Sequence, residues 1–262
     1  NGTVTKNNAF DLCNALNVAL YWNNMEPVQQ ALKASHIDAF GEGSVTNMVL
    51  STFDAVGRTV QGLAAAHTFG SGIIATGNHT ELVLGWSSFH DIGSIGVMSL
   101  IGDLTKVEVF ELARYINRRF QEEIIPVNLF DGKTKPAAEL ADANEDPWNY
   151  YVVSGICAEL IREFKDVSQI CEEYKSKKLN EDFFPSDPYG KNVYQLVNYE
   201  EFEAMVKLCF QRSKISVFKT AQSAPIVLIS PISRGFSSRE TIINKYAGAY
   251  VFQPVKYNVE TT

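Results

Sequence analysis

The chain has 262 residues and a mass of 29.1 kDa, and is 45% hydrophobic and 20% charged. This ordinary globular composition excludes disorder, collagen and coiled coil as the dominant character. Lys and Arg number 23 against 30 Asp and Glu, a net charge of −7, which argues against a strongly basic nucleic-acid binder but leaves room for a locally basic pocket. No apolar run reaches the roughly 18 residues of a membrane span, so no membrane partner is expected. Asn1–Phe10 has neither the charged nor the apolar region of a signal peptide. Cys13, Cys157, Cys171 and Cys209 are scattered without a C-x-x-C pair, the pattern of reduced, packed thiols in a cytoplasmic protein.

In chain order, residues 9–17 carry apolar residues at helical spacing, with Asn8 as candidate N-cap. NVALYW (17–22) reads as a short strand. Residues 26–35 read as a helix opened by Pro27, and 44–68 as a longer one. In GSGIIATGN (70–78) an apolar run between glycines ends in Thr-Gly-Asn, the pattern of a buried parallel strand feeding a functional loop. A helix over 79–86 follows, then a Gly- and Ser-rich loop, SSFHDIGSIGVMSLIGD. Residues 105–120 form an amphipathic helix with Val109, Leu112, Ala113 and Ile116 on one face. Residues 148–182 are helix-rich, 180–192 read as an exposed loop, 200–213 as a helix, and PIVLIS (225–230) as strand-like. Helices alternating with short apolar strands predict an α/β fold with a parallel sheet flanked by helices. Ligands of such sheets sit at the carboxyl ends of strands, which points to the ATGNHTE and SSFHDIGS loops.

The stretch ATGNHTELVLGWSSFHD…LIGDLTKVEVFELARYIN resembles the NAD synthetase signature: a strand, T-G-N-x-[ST]-E, an apolar helix, a polar loop with Asp, then a G-D-L-x-K helix. FDAVGR (53–58), KPAAELADANEDPWNYYVV (135–153) and the tail VFKTAQSAPIVLISPISRGFSSRETIINKY also resemble segments of that family, the tail those of its glutamine-dependent members. The resemblance implies an ATP pyrophosphatase of the adenine-nucleotide α-hydrolase-like, Rossmann type. It divides the chain into a partial synthetase core, 1–147, and a helical carboxy-terminal extension and tail, 148–262. The family's S-G-G-x-D-S nucleotide loop does not occur in these residues, so the chain is expected to lack the first β-α-β unit. It is then expected to be a fragment, or to need a missing amino-terminal segment or a glutaminase domain. Ala137 stands where the family often has a small hydroxyl residue, and Phe89–His90 where it has Lys or Tyr-Gly.

The resemblance implies ATP-dependent amidation of deamido-NAD to NAD through an adenylate, with Mg²⁺, in a homodimer. Glu81 matches a magnesium-holding and ATP-binding glutamate, and a carboxylate suits that cation. Thr76 matches a threonine contacting ATP. Lys106 matches a catalytic lysine reaching the phosphates; as a lone lysine in a helix's first turn it opposes the dipole, which favours a ligand role. Arg58 matches an arginine binding deamido-NAD, and Asp91 an aspartate of the same site with a catalytic part. Lys219 and Arg234 are candidate phosphate contacts in the tail. His79 and His90 read as ordinary loop histidines, and Trp22, Trp86 and Trp148 as core or interface residues. The competing readings are a non-catalytic dimerising relative and another ATP pyrophosphatase amidotransferase.

Overall fold

The computed structural model describes residues 3–86, 91, 93–132, 146–220 and 222–229. Helices α1 (Thr3–Ala15), α2 (Glu26–Phe40) and α3 (Asn47–Thr68) come first. The βαβ unit follows: β1 (Ile74–Ala75), α4 (His79–Leu84) and β2 (Met98–Ser99). Then come α5 (Lys106–Phe120), α6 (Tyr150–Ile161), α7 (Val167–Lys175), α8 (Val193–Leu196), α9 (Tyr199–Ile215) and α10 (Val217–Thr220). β1 and β2 pair in parallel, Ile74 opposite Met98 and Ala75 opposite Ser99. Ile226 extends the sheet past β2 through an isolated parallel bridge to Ser99. The expected parallel sheet is therefore present but small, and the described residues are mostly helical.

The core lies around α6, whose 12 residues are all buried. A helix apolar on every side must be covered on every side, and α4, α5, α8 and α9 cover it. Leu82, Val83 and Leu84 from α4 join Val152, Ile156 and Leu160 from α6 and Phe202 and Val206 from α9 in one cluster. Tyr174 of α7 stacks on Phe202 at 4.3 Å and donates its hydroxyl proton to the Val197 carbonyl at 2.6 Å. The buried carboxylate of this region is paired, since a buried charge without a partner is costly. Glu159, fully buried, meets the Lys165 ammonium at 2.7 Å, and Lys165 also reaches Glu173 at 2.7 Å.

The structure corrects several sequence expectations. Residues 18–22 form no strand; Val18, Tyr21 and Trp22 are exposed, and β propensity yields no strand where no neighbour supplies a ladder. Trp22 is thus not a core residue; the Lys6 ammonium lies 5.2 Å from its ring. Asn8 sits inside α1 rather than capping it. On α5 the buried positions are Val107 and Ala113, while Leu112 is exposed. The loop over 180–192 sends Phe184 into the core. Residues 225–229 contribute a single bridge rather than a strand. β2 lies within the stretch read as loop, because Gly and Ser there obscure the apolar pattern of so short a strand. No described helix is long and apolar enough to cross a membrane.

Candidate active site

The loop after β1 is built for close approach. The Gly77 amide donates to the Gly93 carbonyl at 2.7 Å, and a Cβ on Gly77 would lie 2.8 Å from that oxygen, so only glycine fits. This contact sets the exposed strand-end residue Thr76 beside the 91–96 loop, which carries Asp91. Asn78 then starts α4 with a capping box: its side chain accepts from the Glu81 amide, and Glu81 Oε2 accepts from the Asn78 amide at 3.1 Å. Both arms fix the Glu81 carboxylate at the helix N-terminus, where the dipole favours it.

Glu81 Oε1 meets Lys106 Nζ at 2.8 Å, with both side chains about four-fifths buried. Lys106 is the first residue of α5, whose Thr105 and Glu108 form a second capping box. The Lys106 amide donates to Thr80 Oγ1 at 3.1 Å, and Thr80 donates to Ser154 Oγ of α6 at 3.1 Å. The carboxylate of Glu81 offsets the unfavourable field that the α5 N-terminus exerts on the lysine. The Lys106 ammonium also lies 5.4 Å from the Tyr150 ring. The Tyr150 hydroxyl donates to Asp146 at 2.7 Å, and burial with that contact pushes its pKa far up. Asp146 also accepts from Trp86 Nε1 at 2.7 Å. Trp86 and Trp148 pack edge to face at 5.2 Å against the main cluster, in accord with a packing role.

Arg58 of α3 reaches Asp91 at 3.7 Å. The arginine side chain is 39% exposed and that of the aspartate 15%, and 3.7 Å is long for a charge-assisted hydrogen bond. Lys219 stands elsewhere. It donates to the Gly85 carbonyl at 2.9 Å, while Ser216 donates to the Val83 carbonyl at 3.0 Å. These groups satisfy carbonyls that the end of α4 leaves without helical partners. Burial and the neighbouring Arg212 push the Lys219 pKa down. Gly85 follows Glu81 by four residues, about 6 Å along the helix, at the opposite end of α4. Arg234, His90, Phe89 and Ala137 lie outside the described residues. His79 is no loop histidine: it opens α4, is 1% exposed, and is held neutral, its pKa lowered to about 3 by burial and by Arg162.

Thus the fold joins the predicted residues in two pairs, Glu81 with Lys106 and Arg58 with Asp91. The sequence reading missed Thr80, Ser154, Glu108 and Arg162 beneath them. The N-x-x-E and T-x-x-E spacings at 78–81 and 105–108 carried a capping signal; the partners on α6 left no local trace. Among the described residues no group of three His, Cys, Asp or Glu forms a cage for a metal. Glu81 fits a more open role. One hard carboxylate suits a Mg²⁺ that takes its remaining ligands from phosphates and water.

The NAD synthase family model matches residues 3–183. Over 180 residues the chain is 29% identical to the glutamine-dependent NAD(+) synthetase of Synechocystis sp., covering 67% of this chain and 26% of that protein. It is 22% identical over 186 residues to the NH(3)-dependent NAD(+) synthetase of Wolinella succinogenes, covering 71% of this chain and 62% of the relative. The chain therefore spans less than two thirds of either relative. The crystal structure of a glutamine-dependent NAD(+) synthetase from Cytophaga hutchinsonii superposes with a TM-score of 0.63 at 17% identity, over 86% of this chain and 33% of that one. That likeness shows a shared Rossmann-like fold.

Proposed function

Because this chain belongs to the NAD synthase family, we propose that it carries part of a site for ATP-dependent amidation of deamido-NAD to NAD. The observation that carries the reading is the Glu81–Lys106 pair, 2.8 Å apart at the N-termini of α4 and α5 beyond the carboxyl end of β1, where sheets of this kind place ligands. In the first step a nicotinate carboxylate oxygen bonds to the α-phosphorus of ATP, and the bond from that phosphorus to the bridging oxygen breaks, releasing pyrophosphate. In the second, ammonia bonds to the acyl carbon, AMP leaves with the linking oxygen, and a proton is lost. Both steps need charge neutralised on phosphates rather than a covalent enzyme intermediate.

Lys106 would turn its ammonium from Glu81 to the phosphates, and Thr76 would contact ATP. Glu81, freed of the lysine, would hold Mg²⁺, which when bound supplies further neutralisation of the polyphosphate. Arg58 would grip a phosphate of deamido-NAD by its planar fork, releasing Asp91 to orient the substrate. Arg234 and Lys219 are further candidate phosphate contacts, Lys219 only after leaving the Gly85 carbonyl. The S-G-G-x-D-S loop, absent from these 262 residues, would come from a further polypeptide segment, because backbone N–H groups of such a loop cradle pyrophosphate. The reading includes a homodimer and a cytoplasmic location; either ammonia or a glutaminase domain would serve as nitrogen source.

Titration calorimetry with deamido-NAD, and with xanthosine monophosphate as competitor class, tests the reading. Deamido-NAD is expected to bind in preference, and Arg58→Ala to weaken it at least tenfold. Equal binding of the two nucleotides, or none, overturns the assignment. AMP release by the isolated 262-residue chain would overturn the need for a separate loop.

A further inference from the structure

Helix α6 touches the candidate site directly through the Tyr150 ring beside Lys106, and its C-terminal end holds an arginine that the proposed chemistry leaves unused. Arg162, at the C-terminal end of α6, is 4% exposed. Its two terminal nitrogens donate to the two oxygens of Glu108, each at 2.8 Å, and one of them also donates to the Asp103 carbonyl at 2.6 Å. Such a fork fixes a carboxylate in both distance and plane. The same Glu108 carboxylate accepts from the Thr105 amide at 2.6 Å, closing the cap of α5. Arg162 therefore grips both sides of the turn from Asp103 to Glu108, and Lys106 lies within that turn.

The middle of α6 holds the same turn. Ser154 accepts from Thr80, whose oxygen accepts from the Lys106 amide. The Lys106 backbone is thus referenced to one rigid, fully buried helix at points two turns apart. Burial pushes the Glu108 pKa up, but the bonds from Arg162 and Thr105 together outweigh it and leave it lowered, so the carboxylate stays ionised near neutral pH. An apolar residue in place of Arg162 alone would leave the Glu108 carboxylate and the Asp103 carbonyl without their partner, which destabilises, whereas replacing both members of such a pair by apolar residues is often neutral. What an apolar pair cannot do is set the direction from which α5 starts.

We propose that Arg162 is a positioning residue, acting through Glu108 and the Asp103 carbonyl to set Lys106 against Glu81. The part of this that concerns catalysis rests on the function proposed above. Arg162→Lys keeps the charge but loses the planar fork, and Glu108→Gln keeps a side chain able to cap the helix. Two readouts separate the questions. The first needs no activity: amide hydrogen exchange, residue by residue, on the chain. Arg162→Lys is expected to speed exchange at Thr105 and Lys106 at least tenfold while leaving the amides of Val206 and Cys209 in α9 unchanged. Unaltered exchange at Lys106, or equal acceleration in α9, overturns the proposal, the latter because it marks Arg162 as a general stabiliser.

The second readout is adenylation by the chain joined with a segment bearing the nucleotide loop. There kcat is expected to fall at least tenfold in Arg162→Lys with the KM for deamido-NAD within twofold, and Glu108→Gln to retain more activity than Arg162→Lys. An unchanged kcat overturns the proposal. Absence of adenylation in the unsubstituted protein instead overturns the proposed function, and the exchange experiment still decides whether Arg162 positions Lys106.

Discussion

His79 carries the sharpest consequence at the scale of a single residue. It is 1% exposed, with its pKa lowered from 6.5 to about 3 by burial first and then by Arg162, against weaker opposing effects of Glu108 and Asp103. The unfolded chain therefore binds a proton between about pH 6.5 and about pH 3 that the folded chain refuses, and stability falls as pH falls through that window. Each pH unit crossed there costs the fold about 1.4 kcal/mol, so the unfolding free energy should drop by about 2 kcal/mol from pH 7 to pH 5. Urea midpoints at the two values check this, with His79→Asn as control: the variant should lose most of the pH slope, and an unchanged slope would assign it to other groups. In the sequence His79 is one letter of G-N-H-T-E and reads as a loop histidine. Its burial comes from chain segments beyond the motif: the Leu104 carbonyl accepts its amide at 2.8 Å, and Arg162 approaches from α6.

At the scale of an element, α4 is the piece on which the site turns. Its six residues are too few to be stable as an isolated helix, so it is held at both ends. Asn78 and Glu81 close the first turn, and Ser216, Lys219 and Thr220 take carbonyls at the last. Gly85 ends the helix at φ 58°, and a Cβ there would lie 2.3 Å from the Ser216 Cβ. Gly85→Ala should therefore cost about 2 kcal/mol or more, from a strained left-handed residue and a clash in packed surroundings. Chemical denaturation measures it; a loss below about 0.5 kcal/mol would mean that α9 and α10 yield easily. The start of α4 was legible from Asn78 three places before Glu81, a local pattern with a local cause. Its end was not, because Ser216 and Lys219 lie more than 130 residues away in sequence.

At the scale of the molecule, the two halves of the described chain differ. The large cluster is built from α4, α6, α7 and α9. By contrast α2 has no buried residue, and α3 buries only Ser51, Ala55, Gly57 and Thr59. Val60 and Leu63 are exposed there, and Phe69, also exposed, lies 5.1 Å from the Tyr21 ring. If this face joins two copies, sedimentation velocity should show a dimer that Val60→Glu converts to monomer, with the denaturation midpoint of the α6–α9 core little changed. A wild-type monomer at tens of micromolar concentration, or a variant that remains dimeric, would remove α3 from the interface.

Local patterns in the sequence determined much of this protein. Helix periodicity marked α3, α5 and α9, the capping spacings marked where α4 and α5 begin, and the T-G-N-x-T-E run marked the loop that ends β1. Those features depend on residues within a turn or two of each other, so the letters alone contain their cause. Only tertiary structure decided that residues 18–22 remain without a strand partner, that Met98–Ser99 becomes one, and that Lys219 caps α4. It also decided that Glu81 faces Lys106 and that Arg162 anchors the turn carrying that lysine. The contacts among these join segments far apart in the chain, so no spacing along the sequence contains their cause.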